Sequence, residues 1–244
     1  MNYSGIKKWL LRIARWIRNI LLALFVLSLF FIILYKYVPV YYTPLMLSRS
    51  IEQLGEKKKI NIFHQWVPLS KISPNLAQAV VASEDNLFLI HSGFDFEQIE
   101  IAQQNAEKGR RLRGASTISQ QTAKNVFLFP ARSWIRKGLE AYFTVLIEFV
   151  WGKERIMEVY LNSIEMGDGI FGAQAVAKAH FHKTADKLTI PEAALIAASL
   201  PNPRAFNSAN PSAYLLRRQA QITSLMTKIM PIDFDKPAKK EKEK

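Results

Sequence analysis

The sequence predicts a mainly α-helical domain set behind a single transmembrane helix. Three observations predict it. An uncharged run of 17 residues, Asn19 to Tyr35, lies near the N-terminus. Beyond Ser73, apolar residues recur at helical spacing, with Ser, Thr and Pro where helices begin. Runs of period two, the mark of half-buried strands, are nearly absent.

The anchor comes first in the chain. Seventeen residues are at the short end for a span, but Lys36 can snorkel and Tyr37 to Tyr42 prolong the apolar stretch. Trp9 and Trp16 on one side, and Tyr35, Tyr37, Tyr41 and Tyr42 on the other, fit interfacial belts. A cleaved signal peptide needs a shorter apolar region and a small-residue cleavage site, and the KYVPVYY segment offers none. Residues 1–18 therefore read as a basic tail and 19–40 as an uncleaved anchor. Lys7, Lys8, Arg12, Arg15 and Arg18 precede the span, whereas only Lys36 and Arg49 follow closely. The positive-inside rule places the N-terminus in the cytoplasm and everything after residue 40 outside it.

The chain of 244 residues carries a net charge of +13 and no cysteine. The missing thiols exclude disulfides, a thiolate nucleophile and a Cys-ligated zinc site. With +5 in residues 1–18 and +1 in 231–244, the remaining +7 lies in between, so the body of the chain is basic in its own right. That excess calls for an acidic partner: nucleic acid, anionic lipid or a phosphorylated substrate.

Residues 41–70 read as a connector. Pro39, Pro44 and Pro68 are expected to interrupt any helix, and Glu56 to Lys59 is a solvated run. Residues 71–230 are long enough for one cored domain, and the Lys/Glu-rich tail at 231–244 reads as disordered. Within the domain, Ser73-Pro74 opens a first helix. Thr117 with Gln120 is a capping box for Ile118 to Val126. Ser133 caps a long helix running to Trp151, where Gly152 ends it; it carries one polar stripe, Glu140, Thr144 and Glu148, on a rod apolar enough to be mostly buried. Helix continues from Glu154 to Leu161, Thr189 with Glu192 caps the Ala/Leu run to Leu200, and Asn210-Pro211 opens the last helix, ending near Met230.

Several residues carry chemistry. Glu84 follows Val80-Val81-Ala82 and precedes Leu87-Phe88. Apolar neighbours disfavour a charged carboxylate and raise its pKa toward that of a useful acid or base, though taken alone Glu84 reads more simply as a solvated helix-end group. Asp85 adjoins it, and His91-Ser92-Gly93-Phe94-Asp95 suggests a tight turn with local hydrogen bonds. Gly114 to Asn125 brings a glycine, the hydroxyls of Ser116, Thr117 and Ser119, the amides of Gln120, Gln121 and Asn125, and Lys124 to the start of one helix. Free N–H groups, the helix dipole and a lysine make an anion site. Arg132, Arg136 and Lys137 add three cations, and Glu140 sits one turn beyond Arg136. His180 and His182 invite a metal reading, but residues two apart point to different faces of a helix and no carboxylate accompanies them.

Glu84-Asp85-x-x-Phe88-x-x-His91-x-Gly93-x-Asp95 resembles the first motif of the peptidoglycan glycosyltransferases of family 51. Gly114-x-Ser116-Thr117-Ile118-Ser119-Gln120-Gln121-x-x-Lys124-Asn125 resembles the second, and Arg136-Lys137-x-x-Glu140 the third. Lys153-x-x-Ile156-x-Glu158-x-Tyr160-Leu161-Asn162 is similar to the fourth and Arg217-Arg218 to the fifth. Five motifs in order over roughly residues 70–225 make the resemblance specific. Departures are small: Ser119 stands where Thr is common, and His180-Phe181-His182 where Tyr-Phe-Gly is frequent.

The resemblance implies a lysozyme-like glycosyltransferase domain with a helical head and a membrane-touching jaw, in a single-pass protein of the bacterial inner membrane with its catalytic domain periplasmic or extracellular. It implies lipid II and the nascent glycan strand as substrates, joined by inverting transfer with release of polyprenyl pyrophosphate. Glu84 is then the general base, and Glu140 the second carboxylate beside the pyrophosphate. Lys124 and Arg132, with Arg136 and Lys137 nearby, face the leaving pyrophosphate; Ser116, Gln121 and Asn125 bind sugar or phosphate, and Asp85 and His91 support. The bilayer is a partner, as are proteins of division or elongation; nucleic acid is not. No cofactor is required, and assistance by a divalent cation such as Mg2+ at the pyrophosphate stays open. Val126 to Pro130 with Trp134-Ile135 is an apolar cluster for the jaw or for the core. A hydrolase cutting the same polymer could also use one dominant Glu, but has no need of the cations from Lys124 to Lys137. A purely binding basic membrane protein leaves Glu84, His91 and the paired glutamines unexplained. A bifunctional penicillin-binding protein needs a second domain with Ser-x-x-Lys, and the only such match is Ser4 to Lys7.

Overall fold

The computed structural model describes residues 3–57, 59–109, 116–131 and 133–234. Two compact units divide the chain, residues 1–38 and 39–244. The first is one helix, α1 (Tyr3–Tyr37). It begins well before the apolar run, so the basic stretch is helical and Arg12, Arg15 and Arg18 stand on the same rod as the span, exposed. At 1.5 Å per residue the rod is roughly 50 Å long, more than a hydrocarbon core requires. The stretch Trp9–Tyr37 is long and apolar enough to cross a membrane, with a mean hydropathy of 2.6, and is almost wholly unburied.

The second unit is mainly helical, as expected. Its helices are α2 (Pro44–Gly55), α3 (Pro74–Glu84), α4 (Phe96–Glu107), α5 (Ile118–Phe127), α6 (Trp134–Val150), α7 (Gly152–Ser163), α8 (Ala173–Phe181), α9 (Ile190–Ser199) and α10 (Ala213–Met226). One layer packs α9 against α3 and α10; another packs α5 against α6 and α7, with α2 laid on α5. Against α8 packs a small sheet of β1 (Phe63–His64), β2 (Glu165–Gly167) and β3 (Ile170–Phe171), in the order β1-β3-β2, with β1 parallel and β2 antiparallel to β3. Strands this short leave no alternation to read in the sequence.

Caps explain most helix starts. Thr117 Oγ1 accepts from Gln120 N while Gln120 Oε1 accepts from Thr117 N, the reciprocal box foreseen. Ser133 caps α6 through Arg136 N, and Glu192 accepts from Thr189 N at 2.9 Å at the head of α9. Gly152, at φ +76°, makes the break between α6 and α7. Ser73 departs from the expectation: its hydroxyl donates to Leu188 O, tying α3 to the turn before α9 instead of capping.

Three readings are corrected. Pro44 does not interrupt a helix but opens one, because a first-turn proline has no intrahelical N–H to lose; Thr43 caps it by accepting from Met46 N. The last helix is opened by Ser212, which accepts from Leu215 N, not by Asn210-Pro211, and it ends at Met226. The apolar rod α6 is not mostly buried. Its buried residues are Glu140, Thr144 and Ile147, whereas Trp134 is 91% and Phe149 90% exposed, with Ile135, Leu139 and Val145 also outward. At about 100° per residue these five share one side of the helix, opposite the polar stripe.

The fourth motif is largely structural. Asn162, fully buried on α7, accepts from Val67 N through Oδ1 at 3.0 Å and donates to Val67 O through Nδ2 at 2.9 Å. Glu158 accepts from Leu69 N at 2.9 Å. These clamps hold the segment between β1 and α3. Asn162→Ala leaves both Val67 backbone groups unpaired, and at about 1–3 kcal/mol for each unsatisfied group it should cost about 2–6 kcal/mol. Denaturant unfolding followed by tryptophan fluorescence measures this.

Candidate active site

Glu84 ends α3 and Asp85 follows as its C-cap. Lys124 lies in the last turn of α5, and Arg136, Lys137 and Glu140 lie in the first two turns of α6. The packing of α5 on α6 brings these groups together. A cavity of about 510 Å³ is lined by Gln121, Lys124, Asn125 and Arg136 on one side, and by Leu45, Arg49, Glu165 and Leu200 among others. Glu84 and Glu140 are not in its lining, but each bonds a residue that is.

The Glu84 carboxylate accepts from Gln121 Nε2 at 3.1 Å. Burial raises its pKa; the Gln121 hydrogen bond and the charges of Arg218 and Lys124 pull the other way, and Asp85 adds to the rise. Behind Gln121 stands Tyr160, whose hydroxyl lies 3.3 Å from Gln121 Oε1 and donates to it. Tyr160 is fully buried, and its own pKa is pushed well up by burial and by the two nearby carboxylates. The chain Tyr160–Gln121–Glu84 fixes the amide so that its NH2 faces Glu84, the only orientation in which both bonds form.

Asp85 anchors the next shell. Its Oδ2 accepts from Ile118 N at 2.9 Å, at the N-terminus of α5, and both its oxygens lie within 3.0 Å of His91 Nε2. His91 Nδ1 accepts from Gly93 N at 3.1 Å, so Nε2 carries the proton and donates to Asp85. Gly93 sits at φ +91°, and a Cβ there would meet Thr144 Cγ2 of α6 at 2.8 Å. Only glycine lets this turn lie on α6. Asp95 completes the motif by capping α4 through Gln98 N.

The cations come next. Glu140, 3% exposed, is gripped by Arg136 at 2.7 Å on Oε2 and by Lys137 on Oε1. The Arg136 Nε is buried without a hydrogen-bond partner, an orphaned donor that a bound anion would satisfy. Lys124 has no ion pair among the described residues. Burial lowers its pKa, as do Arg136 and Lys137, against the opposing pull of Glu140 and Glu84. A desolvated lysine facing other cations is a site short of negative charge. Asn125 is buried on the same wall.

Not every expected residue joins the cluster. Ser116 is exposed, and its carbonyl rather than its hydroxyl meets Gln121. Arg132, with Gly114, lies outside the described residues. His180 bonds Ser208 Oγ through Nδ1 at 2.7 Å, and His182 is the exposed left-handed cap of α8. Arg218 was read only as part of a motif, yet its charge acts on Glu84. Glu165 and Arg49 carried no sequence signal: Glu165 sits in a two-to-three-residue strand, and Arg49 in the stretch taken as connector.

A carboxylate held by an amide on the wall of a basic cavity, with burial weighing on its charge, is an arrangement that suits an enzyme handling sugars or phosphates. The chain matches the transglycosylase family over residues 49–227. It is 57% identical over 236 residues to a biosynthetic peptidoglycan transglycosylase of Bacteroides thetaiotaomicron, covering 96% of this chain and 95% of that protein. Similar proteins of the same description are 49% identical in Bdellovibrio bacteriovorus, over 89% of this chain and 87% of that one, and 50% identical in Caulobacter vibrioides, over 86% and 91%. The chain belongs to the transglycosylase family, and its activity is peptidoglycan glycosyl transfer.

Glu84→Gln separates activity from stability. A base must be ionised, so the acidic limb of kcat/KM should lie above the ordinary carboxylate range, and the variant should lose that limb along with about 10²-fold or more of the rate. The folded pKa is raised, so this group's contribution to stability is full below its unfolded pKa and is lost as pH rises through the folded value. The variant should therefore be at least as stable as the parent at neutral pH and lose that advantage in acid. Turnover and denaturant unfolding at pH 4 and pH 7 test both halves.

Proposed function

We propose that this enzyme polymerises lipid II at the outer face of the inner membrane, with Glu84 as base and the Lys124–Arg136 end of the cavity as pyrophosphate site. The growing glycan on its polyprenyl pyrophosphate is the donor, and lipid II the acceptor. The acceptor's 4-hydroxyl gives its proton to the Glu84 carboxylate. Its oxygen attacks the donor's anomeric carbon from the face opposite the leaving group, and the bond from that carbon to the pyrophosphate oxygen breaks with inversion. The observation that carries this reading is a desolvated carboxylate near two cations with unused capacity for an anion: Lys124, which has no ion pair among the described residues, and Arg136, whose Nε is buried without a hydrogen-bond partner while its Nη1 holds Glu140. Fixed cations stabilise the charge that develops on the leaving pyrophosphate at no cost of reorganisation. A hydrolase expels a neutral sugar and gains little from them.

Glu140 is assigned to holding Arg136 and Lys137 in place. Asn125 and Gln121 serve the phosphate or sugar from the cavity wall, and Arg132 is assigned to the same anion from its sequence position alone. Asp85 and His91 position Glu84 by fixing the end of α3 against α5. Mg2+ is not given a protein site: among the described residues no three His, Asp or Glu side chains are grouped to hold a metal, and the cavity is mainly cationic. No step runs through a metal.

The outward face of α6, with Phe129, is assigned to the lipid surface, because five large apolar side chains in water on one helix face are costly and a lipid substrate has to be met at its bilayer. Helix α1 supplies the anchor. Its basic N-terminal turns support a cytoplasmic N-terminus with the enzyme domain outside. Partners in division or elongation machinery are proposed on the nature of the product alone.

Lys124→Ala should cut lipid II polymerisation about 10²-fold or more, the usual scale for one preformed charge stabiliser. Gel separation of labelled glycan strands reads this, and near-parental strand formation would return the case to a hydrolase. Orientation is tested by a reporter active only outside the cytoplasm, fused after Met230. Activity is expected, and silence there with activity from a cytoplasmic reporter would reverse the topology.

A further inference from the structure

The cavity wall carries two charged groupings. At one stand Lys124 and Arg136, with Lys137 and Glu140 beside Arg136 but outside the lining. At the other, Arg49 of α2 donates through Nε to Glu165 Oε2 at 2.9 Å and through Nη1 to Glu52 Oε2 at 2.8 Å. Arg204 reaches Glu52 at 3.4 Å and Asp168 at 3.6 Å. Of these groups only Arg49 and Glu165 line the cavity, one cation against one carboxylate, so this part of the wall carries no net charge to hold a pyrophosphate. It suits an uncharged occupant rich in groups that both donate and accept.

We propose that Arg49 and Glu165 form a specificity pair that binds the saccharide of the donor, a reading that rests on the transfer reaction above. Glu165 is 4% exposed and joins a segment 116 residues away in sequence, so its geometry is fixed by burial. Its Oε1 also accepts from Gly169 N at 3.3 Å. Of the five guanidinium donors of Arg49, two have protein acceptors among the described residues, and the side chain lines the cavity. A guanidinium beside a carboxylate offers a donor next to an acceptor, which matches vicinal hydroxyls and an acetamido group. Leu45, Ile164, Leu200 and Pro203 supply apolar wall for the C–H faces of a sugar ring. Pyrophosphate held at one grouping and sugar at the other makes the cavity a ruler for carrier-linked glycan, and it disfavours the spent carrier that carries no sugar.

The test compares two probes on the full-length protein in detergent: a fluorescent polyprenyl-pyrophosphoryl glycan, and polyprenyl pyrophosphate without sugar. Arg49→Lys keeps the charge but removes the planar fork, and Glu165→Gln keeps the shape but removes the charge. Each is expected to weaken binding of the glycan probe about tenfold and leave the sugar-free probe unchanged, whereas Lys124→Ala weakens both. Retained binding of the sugar-free probe is itself the control for folding. Equal loss of both probes would make Arg49 another pyrophosphate cation or a merely structural tie, and unchanged glycan binding in both variants would empty the subsite; either overturns the proposal. Strand synthesis by the parent protein is scored separately, so failure of the transfer reaction is not confused with failure of the subsite.

Discussion

A helix with carboxylates facing inward and aromatic rings facing outward is unfavourable in water on both sides, and α6 is such a helix. Its buried Glu140 is tolerated only because Arg136 and Lys137 neutralise it from the same helix. Its buried Thr144 returns its hydroxyl to Glu140 O at 2.7 Å. Glu148, a turn further on, is met by Lys153 at 2.6 Å and by the Ser119 hydroxyl. Each of these three side chains is therefore satisfied, and the set ties α6 to α5 and α7. Among the described residues the outward face has no such compensation. On the reading proposed above a bilayer supplies it, which makes the membrane face and the charge cluster behind it two consequences of one arrangement.

The same polar seam sets the electrostatics of catalysis. Glu84 and Lys124 are shifted in the directions that burial dictates, up for the carboxylate and down for the ammonium. Both are poised away from their solution behaviour because α3, α5 and α6 exclude water from between them. Asp85 makes this geometry reproducible. It takes the first-turn N–H of α5 and the imidazole of His91, and so fixes the end of α3 against the start of α5. Gly93 allows that loop to touch α6 without a Cβ in the way. The first three sequence motifs thus meet through one aspartate and one glycine.

What was legible in the sequence was local. Capping boxes at Thr117 and Thr189, the glycine break at 152 and the uncharged run of the anchor act over a few residues, and a short window contains all their causes. The cluster of Glu84, Lys124, Arg136 and Glu140 was legible through motifs. What failed was a rule applied without position: Pro44 was taken as a breaker when it stands at the first turn, where proline is welcome. Hydrophobicity also misled on α6, since an apolar face predicts burial in something but does not say whether that is protein or lipid. The Arg49–Glu165 tie was out of reach altogether. Its partners are 116 residues apart, one in a supposed connector and one in a strand too short to show a period.

The two carboxylates of the site are distinguished by their partners rather than by their positions. Both oxygens of Glu140 are engaged by cations, one by Arg136 and one by Lys137. Its two oxygens are thus occupied in holding the two cations in place. Glu84 receives a single hydrogen bond from a neutral amide, and burial weighs against its charge more than Arg218 and Lys124 support it. Accepting a proton relieves that burial cost. The difference in partners supports the roles proposed above, proton transfer for the first carboxylate and the fixing of positive charge for the second. Glu140, the more deeply buried of the two, is also the one whose oxygens both meet cations, so its burial is compensated on the spot where that of Glu84 is not.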